Sequence, residues 1–198
     1  GASIAHLSTE IERFNKAINE GADASALHEP LQKAALEVAA CCTGDDNTQR
    51  TWKYCRAPMH VLQFAIWDMR KISLSTEQFW LHLFTDEFSR VDPGQYETYQ
   101  PVIVSIKAGL ALLRNQRVKA YSLASQVEME MRDRARPEAR TTARLVLAVL
   151  AMDEHLEVII NEGAYMHQLR ALATRVLKGE TRQWCTIHAD YAPLTKSA

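Results

Sequence analysis

The stretch from Pro137 to Asn161 reads PEARTTARLVLAVLAMDEHLEVIIN, and its apolar residues Leu145, Val149, Met152, Leu156 and Ile159 recur at three and four. That spacing lays one stripe along a helix face. Val146, Leu147, Leu150, Val158 and Ile160 widen the stripe into an arc broader than a surface helix needs. The segment is therefore expected to lie centrally, with neighbours on several sides.

The same period continues upstream, where Val102, Ile106, Leu110 and Leu113 form a second stripe. Extending the reading along the chain predicts helices near residues 4–20, 24–43, 49–71, 75–90, 100–115, 117–135, 137–161 and 163–178. Gly21, Gly44, Gly94, Gly163 and Gly179 fall at breaks in the pattern. Pro93, Pro101 and Pro137 stand at segment starts, where a missing N–H costs little, and Pro30 and Pro58 are expected to open or kink helices. Ser75-Thr76-Glu77-Gln78 has the spacing of a capping box. No strand-like alternation persists beyond Gln183 to His188. The expectation is an all-α chain: a single irregular bundle of about eight helices over residues 1–198, with a short irregular tail from about 180. A short stack of helical hairpins is the alternative, but no repeat of fixed period recurs.

A chain of 198 residues with 47% hydrophobic and 24% charged content is long enough to bury a core without disulfides or a structural metal. Its apolar runs fall far short of a membrane span, so no membrane partner is expected. Cys41, Cys42, Cys55 and Cys185 include no Cys-x-x-Cys pair and read as free thiols, which points to a reducing, cytoplasmic setting. The seven histidines do not cluster and Glu-x-x-His is absent, so no metal and no cofactor is expected. Glycine-rich phosphate loops and the Gly-x-Ser-x-Gly elbow are also missing. Cys55 and His60, five residues apart, are the nearest approach to a nucleophile–base pair, and they leave catalysis without support.

Ten of the fifteen aromatic residues fall between Trp52 and Tyr99. Met59, Leu62, Ile66 and Met69, with Phe79, Trp80, Leu83 and Phe84, read as a core seam between two helices. That leaves Trp52, Tyr54, Tyr96 and Tyr99 for an exposed rim, with Trp67 undecided between rim and core. These five are the candidate partner-binding residues.

Residues 1–99 carry 9 basic and 14 acidic side chains, and residues 100–198 carry 14 and 10, an asymmetry able to orient a partner. Arg132, Arg136, Arg140 and Arg144 recur every four residues as a candidate phosphate-binding ridge, which Pro137 interrupts. Glu128 and Glu130 precede Arg132 and Arg134 by four, the spacing of exposed helical ion pairs. The function expected on these grounds is a non-catalytic, regulatory protein-interaction module. A helical bundle with an aromatic-lined small-molecule or enzymatic pocket is the first alternative, and nucleic-acid binding through the arginine ridge is the second.

Overall fold

The computed structural model describes residues 1–20, 22–43, 46–67, 76, 78 and 93–151. Among the described residues every regular element is helical, as the 3.6-residue patterning requires. Helix α1 (Ala2–Asn19) and helix α2 (His28–Cys41) pack side by side. Leu7, Ile11 and Phe14 on the first meet Leu31, Ala35 and Val38 on the second, all buried. The expected helices at 75–90 and 163–178 and the capping box lie outside the described residues, apart from Thr76 and Gln78, and so does the end of the 137–161 segment.

Helices α3 (Asn47–Thr51) and α4 (Ala57–Trp67) form one rod, joined by a wide π turn at Trp52–Arg56. Asp46 starts the rod by capping, its Oδ1 accepting from the Thr48 N–H at 2.7 Å. The wide turn follows from Pro58. Its ring has no N–H for the Tyr54 carbonyl and would crowd that oxygen in a regular α turn. The backbone widens just ahead of it, with the Ala57 N–H bonding to the Trp52 carbonyl five residues back.

Helix α5 (Pro93–Leu113) starts seven residues earlier than the apolar stripe suggests and runs through Pro101. Pro101 is thus interior, contrary to its expected place at a helix start. The residue four before it, Glu97, keeps a carbonyl that no proline N–H can reach. Arg134 supplies the missing donor: its Nη1 donates to the Glu97 carbonyl at 3.0 Å and its Nη2 to Gln100 Oε1 at 2.8 Å. Within the same helix, a Cβ on Gly109 would lie 2.5 Å from Leu62 Cδ2, so this glycine sets how closely α4 and α5 approach.

Helix α6 (Arg117–Ser125) follows a turn in which Asn115 takes φ 61°, and a second π turn (Gln126–Glu130) extends it. Helix α7 (Pro137–Ala151) packs against α4, α5, α6 and both π turns, the central place that its wide apolar arc implies. Leu145, Val146, Leu147 and Leu150 are buried, each worth roughly 1.5–3 kcal/mol on leaving water. Polar bonds fix its register. Gln63 Nε2 donates to Thr142 Oγ1 at 3.0 Å, and Ser105 Oγ donates to the Ala139 carbonyl at 3.0 Å.

Candidate functional site

The π turn and the start of α7 bring together the polar and aromatic residues with the most unusual surroundings. Trp52, Tyr54 and Cys55 on the turn are buried, as is Tyr99 on α5. Tyr54 and Tyr99 face each other with ring centres 5.7 Å apart. A cation covers each ring. Arg56 Cζ lies 4.2 Å from the Trp52 ring centre, Lys53 Nζ 5.4 Å from that of Tyr54, and Arg136 Cζ 5.5 Å from that of Tyr99.

Glu138, in the first turn of α7, holds the centre. Cys55 Sγ donates to its Oε2 at 3.7 Å, and Arg56 Nε lies 3.7 Å from its Oε1. The second distance is within ion-pair reach but too long for a hydrogen bond. Arg56 Nε and Arg136 Nε are both buried without a hydrogen-bond partner, and so is Gln63 Oε1. An unsatisfied buried donor or acceptor costs about 1–3 kcal/mol, and this site holds three.

Burial, reinforced by the Glu138 charge, pushes the Cys55 thiol well above its usual range, against a smaller opposing pull from Arg136 and Arg56. Burial also raises the Tyr99 hydroxyl, which Arg136 and Arg50 partly offset. His60 is lowered by burial, and its Nδ1 lies 2.6 Å from the Arg56 carbonyl. A carbonyl can only accept, so Nδ1 carries the proton.

The candidate pair of Cys55 and His60 is not assembled as a nucleophile and base. The thiol faces a carboxylate that disfavours the thiolate. The imidazole instead stacks on Trp52, at 6.4 Å, and lies tilted against Phe64, at 6.2 Å. This run of rings continues from Phe64 to Phe14 at 4.1 Å and on to His28 at 4.8 Å, which makes it an internal spine. Among the described residues no group of three or more His, Cys, Asp or Glu could hold a metal ion, and no helix is long and apolar enough to cross a membrane.

The expected exposed rim is corrected at three positions. Trp52, Tyr54 and Tyr99 are only 8%, 7% and 2% exposed. The reason is geometric: the wide turn carries Trp52 and Tyr54 inward, and the early start of α5 puts Tyr99 on a helical face opposite them. The side chains of Trp67 and Tyr96 lie outside the described residues, as do Phe79, Trp80, Leu83, Phe84 and Met69. Met59, Leu62 and Ile66 are buried, as a core seam requires.

The arginine ridge is also corrected. Arg132 sits in a short 3₁₀ turn, and Ala135 is extended, so Pro137 opens a new helix and the four-residue register does not carry across. Arg136 turns to Tyr99. Arg140 is half-buried, and its guanidinium is lowered by burial and by the neighbouring Arg144. Arg144 is completely buried and grips Glu128, with Nε 3.2 Å from both carboxylate oxygens and Nη2 3.1 Å from Oε1. Glu128 therefore pairs with Arg144, sixteen residues on, and not with Arg132. Arg134 serves the proline break in α5, and not Glu130.

Arg50, Arg56, Gln63 and Glu138 were not candidates from sequence. A signal was present in Trp52-Lys53-Tyr54-Cys55-Arg56, where rings and cations nearly alternate. No protein-family model, curated protein or solved structure matches the chain.

Proposed function

We propose that the chain is a non-catalytic interaction module whose docking surface is the layer of cations lying over Trp52, Tyr54 and Tyr99. The observation that carries this reading is the set of three cation-over-ring contacts of Lys53, Arg56 and Arg136. The buried rings act as platforms that hold long basic side chains in place, which lowers the entropy lost when a partner binds them. Their charged heads remain within reach of solvent, the Arg56 side chain being 40% exposed. Such a surface favours an acidic protein segment, and the attraction steers its approach. The protonated Cys55 thiol and the tethered His60 fit a binding role better than a chemical one, and free thiols fit a cytoplasmic setting.

The test uses two labelled amphipathic helical peptides of matched apolar content, one acidic and one basic, in fluorescence anisotropy. The acidic peptide is expected to bind saturably and to weaken as salt rises. Arg56→Gln with Arg136→Gln should weaken it by about tenfold, the loss of about 1.4 kcal/mol. Equal binding of both peptides, or indifference to the double substitution, would sink the reading.

A further inference from the structure

Pro101 divides α5 into two parts. The first, residues 93–100, makes about two turns. One of the bonds that would tie it to the rest of the helix is missing at Glu97, whose carbonyl finds no N–H on Pro101. Isolated helices shorter than about 12–15 residues are marginal in water, so a piece of this length keeps its shape through what it touches. It is an arm hinged at a proline.

The linker that enters α7 holds this arm at two places. Arg134 Nη1 donates to the Glu97 carbonyl at 3.0 Å and Nη2 to Gln100 Oε1 at 2.8 Å. Arg136, two residues on, lies over the Tyr99 ring at 5.5 Å. Tyr99 in turn faces Tyr54 at 5.7 Å, so the arm lies against that ring, and the two tyrosines are only 2% and 7% exposed. Arg134 itself is at the surface, and both of the acceptors it grips are neutral. A hydrogen bond from a guanidinium to a carboxylate is roughly twice as strong as one between neutral groups, and a carboxylate takes both prongs of the fork. An acidic group arriving from solvent therefore competes well for Arg134, and a neutral or basic one does not.

We infer that residues 93–100 are an autoinhibitory arm, latched over Tyr54 by Arg134 and Arg136, and that an acidic partner segment releases it by taking both arginines. This deepens the interaction reading above and rests on it. Release uncovers Tyr54 and Tyr99, which are buried in the latched arrangement, so an acidic amphipathic helix gains apolar contact as well as ion pairs. Its tighter binding to the open arrangement shifts the equilibrium. A basic segment has nothing with which to open the latch, so the arm adds selectivity to the steering.

The experiment is hydrogen–deuterium exchange on the intact chain with and without the acidic amphipathic peptide. The amides of Glu97 to Gln100 are read against those of Ala108 to Leu112 in the same helix. Saturating peptide should speed the arm amides by about tenfold or more, an opening eased by about 1.4 kcal/mol, and leave the reference amides unchanged. Gln100→Ala removes one acceptor of the latch. It should speed arm exchange in the free protein and tighten the peptide by about threefold. Pro101→Ala restores the N–H that joins the arm to the helix, and should slow arm exchange and weaken the peptide by about threefold. Arg134→Gln should speed arm exchange in the free protein yet weaken the peptide, because it loses both the latch and the cation. Far-ultraviolet circular dichroism shows whether each variant folds, and Lys107→Gln serves as a surface control.

If the acidic peptide binds through Arg56 and Arg136 while the arm exchanges as in the free protein, or more slowly, the arm inference falls and the interaction reading stands. Faster arm exchange with the basic peptide as well would overturn the acidic trigger, and tighter binding to Pro101→Ala would overturn the hinge. If neither peptide binds, the interaction reading falls and the release falls with it.

Discussion

Replacing Glu128 with glutamine would remove the carboxylate charge that the Arg144 guanidinium grips in a place water does not reach, since Arg144 is 0% and Glu128 1% exposed. Three nitrogen-to-oxygen contacts of 3.1–3.2 Å are at stake. Removing one member of a buried pair costs about 3–5 kcal/mol, because the remaining ion keeps its desolvation penalty and loses its compensation. Domains commonly have only about 5–15 kcal/mol in total, so a large part of the stability would go. For a chain of this size the thermal midpoint should drop by on the order of 10 °C. Arg144→Met should cost a similar amount by stranding the carboxylate. The double variant Glu128→Leu with Arg144→Met strands neither charge and should come within about 1 kcal/mol of the parent. Urea unfolding followed by circular dichroism, fitted with a common slope, gives the coupling energy. Single substitutions costing less than about 1 kcal/mol would refute the argument. A double variant losing the sum of both singles would do so too, since that pattern means lost packing and not lost charge.

Gly109→Ala should destabilise by about 1–3 kcal/mol in urea unfolding, because the new methyl meets Leu62 Cδ2 and Cγ at 2.5 and 2.8 Å in a packed seam; a neutral result would mean α4 and α5 can separate freely. Arg134→Ala should cost about 1 kcal/mol by freeing the Glu97 carbonyl, and the cost should vanish in a Pro101→Ala background, where a backbone N–H takes over the bond. An equal cost in both backgrounds would show that Arg134 does not compensate the proline. His60 titrates below its usual value in the folded chain because it is buried, so as pH falls through about 6.5 the unfolded chain takes up a proton that the folded chain resists. Stability should therefore be lost on acidification below that pH and be present above it, at a rate of at most about 1.4 kcal/mol per pH unit from this group. Urea midpoints across this range should flatten in His60→Gln, and an unchanged slope would contradict the assignment.

The all-α architecture was readable because a helix announces itself by local spacing, and the stripe from Leu145 through Leu150 needs no knowledge of what it packs against. The central place of α7 was readable for the same reason, since an arc too wide for one contact surface implies several. What the spacing does not encode is the number of layers over a side chain. Trp52 and Tyr54 are surplus to a two-helix seam, but they lie under α5, which enters at Pro93, seven residues ahead of its expected start at residue 100. A local pattern cannot reveal that overlap, because Tyr99 is forty-five residues from Tyr54.

Arg144 could have been found. It sits between Ala143 and Leu145 and is followed by Val146 and Leu147, so no rotation of the helix puts its base in water without exposing an apolar face. An arginine in that setting needs a buried acid, and Glu128, set between Val127 and Met129, is an acid in the same predicament. The interval of four does not separate Arg144 from the other arginines, but its apolar neighbours do. The cations over the rings follow a related rule. Lys53, Arg56 and Arg136 look like ordinary surface charges by composition, and only the inward rotation at the π turn gives them aromatic faces to rest on. The turn in turn depends on Pro58, so Pro58→Ala, by allowing a regular helix, should shift Trp52 and Tyr54 relative to α5 and loosen the arginines. The substitution should therefore reduce acidic-peptide binding even where stability is unchanged, because the missing N–H of one proline sets the positions of the side chains on the turn ahead of it.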